Sequence, residues 1–155
     1  MSKFQIIIRK FGVYFAKPIW SFIRNCVFWL FRLNKIAWVR NEMKALRAWQ
    51  LEPLMTVFTW QEDKGGDWTQ WISTLIYNGY QGDCDDAANL AKWWFKEHGV
   101  EAEILNLYST KEGHTICVTK DRETMVTNER VVYLNPTCWE REVLEYFRNK
   151  YEVII

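Results

Sequence analysis

The sequence predicts an α+β protein, with helices gathered towards the front and an antiparallel sheet behind them. Three observations carry that prediction. Helical segments with capping and stop signals occupy much of the chain up to Gly99. Beyond Gly99 the pattern changes to period-two alternation, as where Ile116 and Val118 alternate with Thr115, Cys117 and Thr119. No repeat or low-complexity tract interrupts this order, and 49% of the 155 residues are apolar, which is enough for a core and excludes intrinsic disorder.

Residues 1–50 form a distinct first region. Pro18 suits the first turn of a helix, and nothing from Ile19 to Gln50 stops one before Pro53. At 100° per residue, Lys17, Ser21, Arg24, Asn25, Arg32 and Lys35 fall in one polar stripe, on which Phe28 intrudes, while Ile19, Trp20, Phe22, Ile23, Cys26, Val27, Trp29, Leu30, Leu33 and Ile36 cover almost everything else. The apolar arc is broader than a surface helix needs, yet too interrupted for a span of about 20 apolar residues. The expectation is a helix lying on an anionic membrane surface, with Lys17, Arg24, Arg32 and Lys35 at the headgroups. A signal-anchor span and a helix packed on its own domain or a partner are the alternatives.

Residues 51–155 are expected to form the folded domain. Residues 54–60 read as extended, 61–67 as a loop, and Trp68 to Tyr77 as a helix closed by Asn78-Gly79. Asp83 can cap a helix from Cys84 to about His98, with Gly99 as its stop. Strands are expected at Glu101 to Tyr108, His114 to Lys120 and Met125 to Leu134. Thr137-Cys138-Trp139-Glu140 has the pattern of a capping box opening a last helix to about Arg148.

The net charge of +1 argues against nucleic-acid binding through bulk charge, but it conceals a split. Residues 1–41 carry eight Lys or Arg and no acid, so the rest holds 12 basic against 19 acidic groups. The four cysteines, Cys26, Cys84, Cys117 and Cys138, form no close pair and no zinc spacing with His114, which points to a reducing compartment. Arg24 and Asn25 interrupt the one apolar run resembling a secretory signal. The expected location is therefore cytoplasmic, or membrane-associated on the cytoplasmic side, with no cleavable leader.

Cys84 carries the chemistry. At the first turn of a helix, free N–H groups and the macrodipole favour a thiolate, which attacks carbonyl carbon. His114, opening a strand, can supply the imidazole, and Asn128 on the return strand can orient it. Sharing one face of that hairpin requires an odd-length loop, which Asp121-Arg122-Glu123 provides. Ile116 then opposes Asn128 and Val118 opposes Val126. An even loop would put His114 and Asn128 on opposite faces. His98, at a helix C-terminus, reads as structural.

Gly82-Asp83-Cys84-Asp85-Asp86-Ala87-Ala88 resembles the G-D-C-[DE]-D-x-A signature of bacterial and phage transglutaminase-like cysteine peptidases, in the papain-like superfamily. Phe58-Thr59-Trp60, Asp67-Trp68-Thr69, Gly99-Val100 and Gly113-His114-Thr115 fit the same pattern, so the resemblance spans roughly residues 54–137. It implies a papain-like core in which the helix bearing the cysteine packs on a small antiparallel sheet. It also implies acyl transfer at an amide of a protein or peptide, by a peptidase, amidase or transglutaminase, with Cys84 as nucleophile and His114 as base. The third position falls on Asn128, where the superfamily usually has Asp. Asn135, in Asn135-Pro136-Thr137, is the second candidate because it echoes a D-P-T sequence of animal-type transglutaminases. The Cys84 N–H is expected in the oxyanion hole, with Gln81 or a nearby Trp as the second donor.

Asp83, Asp85 and Asp86 suit a helix N-terminus but should also raise the thiol pKa. Capping that turns them away is the favoured resolution, with no cofactor required. The other resolution is calcium at Asp83 and Asp85, as the calcium-dependent periplasmic branch of the resembled family implies. The competing functional reading is a catalytically inactive relative serving as a binding or structural protein of a phage or bacterial envelope. A scaffold whose basic helix docks partner helices is a third.

Overall fold

A computed structural model describes residues 15–62, 69–110, 112–128, 130–148, 150–151 and 153–154. The first helix among the described residues, α1 (Lys17–Leu30), has Pro18 in its first turn, where a missing N–H costs no hydrogen bond. The long helix expected through Gln50 is broken. Arg32 turns its guanidinium onto the Phe28 carbonyl at 3.0 Å, and its main-chain N–H bonds Trp29 O at 2.9 Å, an i−3 bond that ends the α-helical ladder. A 3₁₀ turn (Leu33–Lys35) then leads into α2 (Ile36–Leu46).

Residues 54–60, expected to be extended, are mostly helical: α3 spans Leu51–Thr56, followed by β1 (Thr59–Trp60). Pro53 is tolerated because it lies in the first turn of α3, where N–H groups have no intrahelical acceptor. The helix expected from Trp68 is shorter, α4 (Ile72–Tyr77), and Trp68 itself lies outside the described residues. Gly79, at φ +70°, ends it with paired bonds from Gly79 N to Ile76 O and from Tyr80 N to Leu75 O. The chain then enters β2 (Gln81–Gly82), parallel to β1.

The central helix α5 (Cys84–Glu97) starts at Asp83 and stops at Gly99 as expected, with Gly99 at φ +73°. It packs on the main sheet, built from β3 (Ala102–Tyr108), β4 (Gly113–Thr119), β5 (Thr124–Thr127), β6 (Arg130–Tyr133) and β7 (Val153–Ile154). The strand order is β6-β5-β4-β3-β7, antiparallel throughout. The single strand expected over Met125 to Leu134 is thus a hairpin. Thr127 pairs with Arg130, and Asn128 begins the turn between them at φ +46°, a left-handed conformation that Asn tolerates better than most residues.

The last helix, α6 (Trp139–Tyr146), lacks the expected capping box: Cys138, not Thr137, is its N-cap residue and makes no side-chain cap bond. The Thr137 N–H and hydroxyl instead go to Asn135 Oδ1 at 3.0 and 2.7 Å.

Two apolar clusters sandwich the sheet. On one face, Leu54, Met55, Leu75, Leu90, Ala91 and Phe95 meet Cys117 and Val126; on the other, Leu107, Ile116, Val118 and Met125 meet Val143 of α6. Burying side chains of this size contributes about 1.5–3 kcal/mol each. Trp29, Val39 and Leu46 belong to the first cluster, so the core continues across residue 50 into the N-terminal region.

Candidate active site

The site is built at the N-terminus of α5, where each aspartate of the motif has a separate task. Asp83 Oδ1 accepts the main-chain N–H groups of Asp85 and Asp86 at 3.0 and 3.4 Å, and Asp86 Oδ2 accepts the Asp83 N–H at 3.3 Å. This is a reciprocal capping box, so the favoured capping role holds for Asp83 and Asp86. Asp86 is fully buried and receives the Gln70 main-chain N–H and the Gln70 side-chain amide, both at 2.7 Å. Gly82 is required here by space, since a Cβ on it would overlap the Asp86 carboxylate. Asp85 turns elsewhere, to an ion pair with Lys17 of α1 and a hydrogen bond from the Thr115 hydroxyl.

Those engagements do not fit calcium. The Asp85 carboxylate already faces an ammonium group, and Asp83 uses Oδ1 on main-chain amides. Among the described residues, no group of three or more His, Cys, Asp or Glu side chains comes together as metal ligands.

Cys84 is partly buried at the first position of α5. Its own N–H is one of the first-turn donors without an intrahelical acceptor, whereas Asp83 takes those of Asp85 and Asp86. Thr115 lies near enough to the sulfur for its main-chain N–H and hydroxyl to favour the thiolate. The Thr115 hydroxyl has one proton for three acceptors, since Asp85 and Asn106 also lie within reach.

Burial, and next the Asp83 charge, raise the Cys84 thiol above its ordinary range, while Thr115 and Lys17 pull it down. The expected opposition between motif acids and thiolate is therefore present, with burial the larger cause.

His114 lies on β4 as predicted, but its partner differs. Four residues, 120–123, join β4 to β5, and Cys117 and Val118 face Val126 and Met125. The expected three-residue loop and its pairs, Ile116 with Asn128 and Val118 with Val126, are not formed. The physical reason lies in the turn. Asp121 Oδ1 accepts the Thr119 hydroxyl and the Glu123 N–H at 2.6 and 3.1 Å, and Arg122 adopts φ +66°, which accommodates the extra residue.

The one-residue change of register brings Thr127 to His114, with Nε2 2.7 Å from Thr127 Oγ1. Asn128 stays in the β5–β6 turn with its Oδ1 buried and without a hydrogen bond, beside a cavity of about 220 Å³ lined by Thr127, Arg130, Tyr146 and Phe147. Asn135 is exposed and bonded to Thr137, so neither Asn holds the imidazole.

No protein-family model, curated protein or solved structure matches this chain. The site is therefore read from its own geometry.

Phe147 packs edge-on against His114 with ring centroids 5.1 Å apart, and Tyr151 stacks on it at 6.0 Å. Burial, helped by the Lys150 charge, lowers the His114 pKa to about 4, so the resting imidazole is neutral. Tyr151 also lies close enough to Cys84 for a thiolate to raise its own pKa. His114 has the strand parity of Ile116 and Val118 and pairs with Leu107, whereas Thr115 faces α5 and meets Asp85, so His114 leaves β4 on the face opposite the helix that carries Cys84, and among the described residues the two share no hydrogen bond. Gln81 is an exposed β2 residue whose carbonyl accepts from Gln70 at 2.9 Å. His98 keeps its structural place, stacked on Trp94 at 3.8 Å.

Sequence reasoning missed Thr127, Thr115, Gln70, Tyr151 and the site role of Lys17. Only the hairpin parity argument, run with an even loop, could have found Thr127.

Proposed function

We propose that this protein is a cysteine-dependent acyl-transfer enzyme of transglutaminase-like, papain-related architecture, acting on an amide of a protein or peptide. The observation that carries the reading is the placement of Cys84 as first residue of a helix capped by Asp83, where its main-chain N–H has no intrahelical acceptor. His114 is the base and Thr127 orients it.

The resting pair is a thiol and a neutral imidazole, not a preformed ion pair. Proton transfer from Cys84 to His114 accompanies attack of sulfur on the carbonyl carbon, and the Cys84 N–H stabilises the oxyanion that forms. His114 then returns the proton to the departing amine, leaving a thioester that water or a second amine resolves. The proton transfer from Cys84 requires substrate binding to bring together two groups that the free protein holds apart, because His114 leaves β4 on the sheet face opposite α5.

Two observations favour the second reading, an inactive relative kept for binding in a phage or bacterial envelope. Thr127 supplies a neutral hydroxyl where a carboxylate would stabilise imidazolium, and both pKa shifts oppose the ion pair. A peptide bearing an acyl-type electrophile separates the readings. Catalysis predicts covalent labelling of Cys84 in the native chain and its loss in His114→Ala. Labelling that ignores His114, or spreads equally to Cys26 and Cys138, would leave the binding reading.

A further inference from the structure

The N-terminal helix is packed with its polar stripe inward. Asn25, fully buried, donates to Ser21 O and Thr69 O at 2.8 and 3.0 Å and accepts from the Trp71 N–H and Thr74 hydroxyl at 2.9 and 2.7 Å. Ser21 Oγ accepts the Thr69 N–H at 2.8 Å, and the Trp29 indole donates to Thr74 at 3.1 Å. At the start of the helix Lys17 reaches Asp85. These bonds fix the rotation of α1, because turning its greasy side inward would leave buried donors and acceptors unpaired.

The consequence is an outward apolar face. Ile19, Phe22, Leu30 and Phe31 are 63, 60, 65 and 77% exposed, with Ile23, Val27, Leu33 and Trp38 beside them in the open. Among the described residues nothing covers this strip, and it is broader than the scattered apolar residues of an ordinary surface.

We propose that this outward face docks on the surface of an anionic lipid bilayer, its side chains entering the acyl boundary while α1 lies parallel to the membrane. Charge selects the occupant. Residues 1–41 contain eight basic groups and no acid, and Lys35 and Arg40 are exposed next to the strip. A second copy meeting the same patch across a two-fold axis would bring these positive charges together, whereas anionic headgroups neutralise them. Exposed Trp20 and Trp38 suit the headgroup level, where an amphipathic ring is favoured. No described helix is long and apolar enough to cross a membrane, which agrees with a surface position.

The geometry revises the expected headgroup contacts. Lys17 is committed to Asp85, and Arg32 lies over the Phe28 ring at 4.0 Å. Because α1 carries Lys17, docking also brings the Cys84 site close to the lipid surface.

The test is flotation of the full chain with vesicles of phosphatidylcholine alone or of equal parts phosphatidylcholine and phosphatidylglycerol. The expected result is binding to the anionic vesicles, about tenfold or more weaker on the neutral ones and in high salt. The triple variant Ile23→Ser, Val27→Ser, Leu30→Ser should lose binding by a similar factor with an unchanged circular dichroism spectrum, since these side chains touch solvent. Absence of vesicle binding, or equal binding by the triple variant, overturns the proposal. So does a lipid-free dimer that the triple variant abolishes, because the face would then belong to a second copy.

Discussion

His114 Nε2 and Thr127 Oγ1 lie 2.7 Å apart, so the group orienting the candidate base is a hydroxyl one residue before the amide that the strand pattern suggests. Thr127→Val keeps the shape and removes the hydroxyl. It should lower kcat/KM on an amide substrate by about 10- to 100-fold, the loss of one oriented hydrogen bond worth roughly 1.5–3 kcal/mol. Asn128→Gly preserves the left-handed turn and should change kcat/KM by less than about threefold. Steady-state kinetics of both variants, with thermal midpoints as the folding control, check the assignment. A silent Thr127→Val beside a damaging Asn128→Gly would return the role to Asn128.

Acid stability follows from the buried imidazole. The folded state keeps His114 neutral down to about 4, whereas an unfolded histidine protonates near 6.5. Unfolding therefore takes up a proton between these values, and stability is lost as pH falls through that window, by up to roughly 3 kcal/mol at its lower end. His114→Phe removes this titration and should flatten the dependence. Urea midpoints of both proteins at neutral and mildly acidic pH measure the difference. Parallel slopes for the two would contradict a buried neutral His114.

The Lys17–Asp85 pair ties α1 to the residue beside the nucleophile, with side chains only 19% and 8% exposed. Lys17→Met strands a buried carboxylate and should cost about 3–5 kcal/mol, while adding Asp85→Asn should recover much of that loss. The same single change removes a positive charge that lowers the Cys84 pKa, so alkylation of Cys84 at neutral pH should slow. A double-mutant cycle in urea reads the coupling. Additive losses with unchanged labelling would mean that α1 is only a passenger on the site.

The sequence by itself determined the local features. Asp83 as cap, Cys84 as first helical residue and Gly99 as stop follow from the chemistry of one turn of chain, because capping bonds span only a few residues. The α+β order and the strand carrying His114 were legible for the same reason: period-two alternation is a local signal.

Tertiary structure decided the rest. The partner of His114 depended on one additional residue in the β4–β5 turn, and strand geometry converts a one-residue shift into a change of face. The Asn128 turn was hidden because its hairpin lacks the Asn-Gly pair that advertises such turns. Amphipathic periodicity gave α1 its two faces but not their direction. Asn25, Ser21 and Lys17 turned the polar face inward because the residues that satisfy them, Thr69, Trp71, Thr74 and Asp85, lie more than forty positions away in the chain. Only the folded chain brings those donors and acceptors within hydrogen-bonding distance, and there their pairing outweighs the burial of a greasier side.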